Sequence, residues 1–457
     1  MRAAPGSLVV ANLLLGCAAA LPLPGQPHFP SVPREVLVRW RSGVSDAQQN
    51  QIRVRFGVAV SAGSLPRSER WVLPPGESSS EVVESLRTDN KVKIAEPNYI
   101  RHVLGYVTPG YNAVAQWNLA EIRAPEAWQQ YFSATQKPGQ GVLVAVLDSG
   151  VDVRHPDLAP NIARDASGSV IFLDEVYPNS AATPDIDASG RNYDWTTAYS
   201  DAMHPGPDGN GHGTHVAGIL AAAGVSGYDG TNIVGVAPDA TILPVKVMES
   251  DGNGDDWSIS NGIVDAANRG ARIENLSIGG PMPSDLLSDA ITYAVDKGVL
   301  LVAAAGETLP TGSPVFYPAA YPGVIAVGAV GQKEDYEPYS NFGTQVALVA
   351  PGGPADNEAT DGVLSTLPTY GSEMATELPS GIPGYGHASG TSQATPCVAG
   401  VAAMIWSLYP NLTAQQVRDR LVTSADKLGG VDFSQQTGWG LVDAMTALSV
   451  GDPRYGQ

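Results

Sequence analysis

Three stretches of this chain place residues capable of acyl transfer beside glycines and small side chains. They are Asp148 in Val142-Leu143-Val144-Ala145-Val146-Leu147-Asp148-Ser149-Gly150, His212 in Gly211-His212-Gly213-Thr214-His215-Val216-Ala217-Gly218, and Ser392 in Gly390-Thr391-Ser392-Gln393-Ala394-Thr395-Pro396. A serine hydroxyl is a poor nucleophile at neutral pH. It needs a base within hydrogen-bond reach, and the base needs an acid to fix its tautomer. Ser392 would attack, His212 would take and return the proton, and Asp148 would orient His212. The glycine-led turn at Ser392 opens an apolar helix, whose first-turn N–H groups stabilise negative charge. Alone, a serine there is an N-cap; the other two stretches give it a chemical reading.

A scaffold must bring the three together. Apolar runs rich in Val, Ile, Leu and Ala predict strands at 142–148, 240–248, 272–277, 299–305, 324–330 and 345–350. Helical spacing predicts helices at 212–223, 258–269 and 284–297, then the serine helix and 413–424. Such an alternation implies an α/β fold, with a mostly parallel buried sheet and helices on both faces. Sites in such sheets lie beyond the carboxyl ends of the strands, where Asp148 falls. Before it, residues 33–105 predict a small α+β unit: strand 35–40, helix 46–56, a middle strand, helix 78–88 and strand 92–99.

The order Asp148, His212, Ser392, with these neighbours, resembles the subtilisin-like serine proteases, or subtilases. The resemblance implies a subtilisin-like catalytic domain over 106–450 that hydrolyses peptide bonds in protein or peptide substrates through an acyl-enzyme. Ala95-Glu96-Pro97-Asn98-Tyr99 resembles the end of the family's inhibitory pro-domain. That implies a self-processed zymogen in which segment 29–105 is the chain's own partner, cut between about Tyr99 and Tyr111. Ser277, Ile278 and Gly279 match the family's substrate-pairing edge, residues 251–257 the opposite wall, and Ala304, Ala305 and Gly306 one side of the primary specificity pocket. Phe316 stands where a ring would shorten that pocket. His155 and His215 match structural positions. Where subtilases place an oxyanion-hole asparagine, this chain has Glu307, which cannot donate a hydrogen bond when ionised. A weakly active or silent binding protein of the same fold is therefore the rival expectation. Asp229 and Asn232 resemble a structural Ca²⁺ site, and Asp194 with Asp208 flank a second acidic loop. No organic cofactor is implied. If calcium binds, chelation is expected to lower the unfolding temperature; an unchanged melting curve would reduce these loops to ordinary turns.

Composition narrows the partners. Of 457 residues, 43 % are hydrophobic and 16 % charged, which suits a buried core rather than disorder. The net charge of −20 lies almost wholly after residue 105, since the segment before it is slightly basic. An acidic surface argues against nucleic acid and anionic membranes, and it favours docking of the basic segment on the acidic one. A monomer is expected. Residues 1–20 read as a secretory signal, and Leu14-Leu15-Gly16-Cys17 also resembles a lipoprotein box that would anchor the chain through Cys17. Without Cys17, Cys397 has no disulfide partner.

Overall fold

The computed structural model describes residues 31–103, 106–107, 116–133, 135–176, 208–224, 233–308, 312–354, 361–377 and 383–449. The leader 1–20 with Cys17, the loop with Asp229 and Asn232, and Asp194 fall outside them.

The first unit is built from β1 (Ser31–Trp40), α1 (Asp46–Phe56), β2 (Ala59–Ala62), β3 (Ser68–Val72), α2 (Ser79–Arg87) and β4 (Val92–Val103). The middle strand expected from the sequence is a hairpin, β2–β3, and the antiparallel order is β4-β1-β3-β2. Both helices begin on a serine that accepts a first-turn N–H, Ser45 from Gln48 and Ser78 from Glu81. Alternation along β1 sends Val36, Val38 and Trp40 into a core with Ile52, Trp71, Val83 and Leu86. Leu37 points the other way, into the core of the larger unit beside Trp257 and Ile263. The sheet is therefore covered on both faces. Buried Glu69 is satisfied by the indole N–H groups of Trp40 and Trp71, at 2.7 and 2.8 Å, and by Arg53.

The chain continues through β5 (Tyr106–Val107), α3 (Trp117–Glu121), α4 (Ala124–Tyr131), β6 (Leu143–Asp148), β7 (Leu173–Asp174), α5 (His212–Ala221) and β8 (Thr241–Lys246). Next come β9 (Asn253–Asp255), α6 (Asp256–Asn268), β10 (Ile273–Leu276), β11 (Ile278–Gly279), α7 (Asp285–Asp296), β12 (Leu300–Ala304), β13 (Val324–Val330) and β14 (Val346–Pro351). Last are β15 (Val363–Thr366), α8 (Glu373–Glu377), β16 (Tyr385–Ser389), α9 (Thr391–Leu408), α10 (Ala414–Ser424) and α11 (Ala444–Leu448). Among the described residues the main sheet has seven parallel strands in the order β14-β13-β12-β10-β6-β8-β7. In β6, Val144 and Val146 join the core of α5 and α9, and Ala145 and Leu147 that of α6 and α7. Two buried faces explain why its sequence is uniformly apolar rather than alternating.

Candidate active site

Asp148 ends β6, at the carboxyl edge of the sheet. Its Oδ1 accepts the Ser149 N–H at 2.8 Å and lies 2.8 Å from Nδ1 of His212, with both side chains buried. His212 is the first residue of α5, reached through a turn with Gly211 at φ 102. Fully buried Asp208 fixes that turn. It accepts the Gly211 N–H (2.7 Å), the Thr214 N–H (2.8 Å) and hydroxyl (2.6 Å), and the Ser149 hydroxyl (2.8 Å). Burial pushes its pKa up, while these bonds and the Lys246 charge pull it down. Asp208 thus anchors the start of α5 to the end of β6. Its oxygens are committed there, a task its sequence neighbourhood did not announce.

Ser392 is the second residue of α9. Four residues on, Pro396 removes the N–H that would bond the Ser392 carbonyl. The Ser277 hydroxyl replaces it at 2.9 Å, and in return the Ser392 hydroxyl donates to the Ser277 carbonyl at 2.8 Å. Ser277, expected only to line the cleft, therefore also locks the serine turn. The Ser392 N–H has no acceptor among the described residues.

Half-buried Glu307 sits beside this turn. Its Oε1 accepts the Thr391 N–H at 2.5 Å and the Thr391 hydroxyl at 3.3 Å. Desolvation pushes its pKa up to about 7, against the Thr391 bonds and the His212 charge. Gly306, just before it, has φ 95, and a Cβ there would meet the Phe316 ring at 2.5 Å and Asn341 Nδ2 at 2.7 Å. The glycine is required by both conformation and space. Ala304 ends β12 and Ala305 follows it, accepting the Phe316 N–H at 2.9 Å.

Two short edges face one another across the site, and both are paired with β4. Ile278 and Gly279 of β11 lie opposite Val103 and His102; Asp255, Gly254 and Asn253 of β9 lie opposite Ile100, Arg101 and His102. After residues 104 and 105 the chain resumes as β5, with Tyr106 opposite Ser389 and Val107 opposite Ala388 on β16, the strand that leads into Ser392. Two residues upstream in β4 act as caps. Glu96 accepts the Ser284 hydroxyl and the Asp285 and Leu286 N–H groups, each at 2.7 Å, and Asn98 accepts the Trp257 N–H at 3.1 Å. These bonds close the N-termini of α7 and α6 from outside. Burial first, then the Asp256 charge, raises the Glu96 pKa to about 7.

The remaining histidines that the motifs single out are core residues. His215 bonds the Gly386 carbonyl at 3.1 Å, and burial pushes its pKa down to about 3. His155 lies 2.9 Å from the Gly384 carbonyl, edge-on to Tyr385. Among the described residues no group of three or more His, Cys, Asp or Glu is placed to hold a metal ion.

Residues 139–440 match the subtilase family. Subtilisin E of Bacillus subtilis (strain 168) is 32 % identical over 89 % of this chain and 87 % of that protein. A thermophilic serine proteinase of Bacillus sp. (strain AK1) is 33 % identical, over 87 % of this chain and 83 % of its own length. Among solved structures, fervidolysin of Fervidobacterium pennivorans, a keratinolytic enzyme related to subtilisin, aligns with a TM-score of 0.69 at 26 % identity. The alignment covers 92 % of this chain, which spans 61 % of that structure's length. The chain belongs to the subtilase family, with the subtilisin-like α/β fold. It is accordingly a serine-type endopeptidase.

Proposed function

We propose that the chain is a secreted, self-cutting precursor in which Ser392 is the nucleophile, His212 the general base and Asp148 the residue that orients His212. One observation carries this reading: β4 lies antiparallel between both walls of the cleft, and the chain resumes on the strand that leads into Ser392. An added strand is how a sheet edge holds an extended peptide, so segment 29–105 ends as a substrate would lie. The Ser392 hydroxyl turns from the Ser277 carbonyl to His212, which takes its proton as Oγ bonds the peptide carbonyl carbon. His212 then protonates the leaving amine, and water repeats the sequence to free the acyl group. The partner strand changes between Val103 and Tyr106, and on this reading the cut falls in that stretch. Secretion rests on the leader alone, and calcium on Asp229 and Asn232 alone.

Mass measurement of the mature N-terminus tests the cut directly. Segment 29–105, added separately, should inhibit the cut enzyme. The inhibition should weaken at high salt, because Arg39 and Lys93 meet Asp289 at the junction. Absence of inhibition at any salt would remove the pro-domain reading. Glu96→Ala in that segment strips the three donors at α7 of their acceptor, and should raise the inhibition constant about tenfold. An unchanged constant would show that this cap contributes nothing to the grip.

A further inference from the structure

The side chain of Arg101 is buried, and both of its hydrogen-bond partners belong to the larger unit. Its Nε donates to Asp256 Oδ1 at 2.5 Å and its Nη1 to the Met282 carbonyl at 2.7 Å, with the two side chains 1 % and 0 % exposed. Gly280 forms one wall, where a Cβ would lie 3.1 Å from Nη1 and 3.3 Å from Cδ. Asp256 is the first residue of α6, where the helix's positive end favours a carboxylate. Arg101 lies opposite Gly254 on β9 and is the fourth residue before the middle bond of the stretch between Val103 and Tyr106.

We infer that Asp256 makes the cleft selective for substrates with arginine at the fourth residue before the cut bond. This rests on the reading of β4 as occupant of the substrate cleft. Asp256, Met282 and Gly280 all belong to the larger unit and stay with it, so they meet any later peptide. A planar guanidinium reaches a carboxylate and a carbonyl from one fork, which an ammonium on a shorter stem does not reproduce. A neutral side chain would bury Asp256 without a counter-charge, so the pocket rejects as well as selects.

The test uses the processed wild-type enzyme and a quenched fluorescent peptide copying Asn98–Val107. It is compared with peptides carrying leucine, lysine or citrulline in place of Arg101. Citrulline keeps the shape and removes the charge. The expected result is a kcat/KM at least about a hundredfold lower for citrulline and leucine, with lysine between. In Asp256→Asn the ratio of arginine to citrulline should collapse to about one. Equal kcat/KM for the arginine and citrulline peptides in wild type, with cutting abolished by Ser392→Ala, overturns the arginine pocket and leaves the protease reading standing. Cleavage of none of the four peptides overturns both.

Discussion

Full-length protein carrying Ser392→Ala is expected to stay uncut between Val103 and Tyr106, and to hydrolyse added peptides at least about a thousandfold more slowly than wild type, a loss within the scale established for subtilisin itself. The substitution removes the proposed nucleophile and its one hydrogen bond to the Ser277 carbonyl. The Ser277 hydroxyl still bonds the Ser392 backbone carbonyl, and α9 keeps its buried apolar face. His212→Ala should have an effect of the same order, because it removes the proposed base. Both are read by the mass of the N-terminus and the rate on a quenched peptide. Wild-type processing and turnover in either variant would rule out these assignments.

The second large effect is expected at Glu307, whose carboxyl touches the residue before Ser392. Protonated, it can donate one hydrogen bond to a developing oxyanion; ionised, it can only accept, and it repels that charge. Desolvation holds its pKa near 7. The donor form therefore prevails below that pH and is lost as pH rises through it. His212 must be neutral to act as base, which sets the acid limit. The two demands leave a narrow optimum and a rate that falls on the alkaline side. Glu307→Asn supplies a donor at every pH, and should abolish the alkaline fall. A donor to the oxyanion contributes about 3–4 kcal/mol in subtilisin itself, so turnover at pH 8 should rise by roughly one to three orders of magnitude. Glu307→Gln should help less, since its longer side chain puts the amide elsewhere. If the rate at pH 8 is the same in Glu307→Asn and wild type, another group holds the oxyanion.

The long buried elements were legible because their pattern is set by burial on the sheet. β13 runs Val324–Val330 as its apolar run predicts, and α5 begins at His212. The β2–β3 hairpin and the two-residue strand β7 were not, and β9 and β11 were reached only through the family resemblance, because so short a strand has no period of its own and exists through its partner. In the site, the order of Asp148, His212 and Ser392 was legible, as was Glu307, because it departs from a familiar run. What escaped lies across sequence distance: Ser277 with Ser392, Asp208 with Thr214 and Ser149, and Arg101 with Asp256. Each is an exchange of donor for acceptor that no local composition announces.

If the chain is cut as proposed, the sharing of β4 between the N-terminal sheet and both cleft edges governs how the enzyme is released. While the chain is continuous, that contact forms within one molecule, at an effective concentration in the millimolar range for a short connection, so it is saturated however thin the solution. The proposed cut between Val103 and Tyr106 would leave the pairing of β4 with β9 and β11 in place, yet would make the same contact bimolecular. Occupancy of the cleft then depends on the amount of protein present. Under that reading, dilution alone, as when a protein leaves a crowded compartment, would be the signal that empties the site.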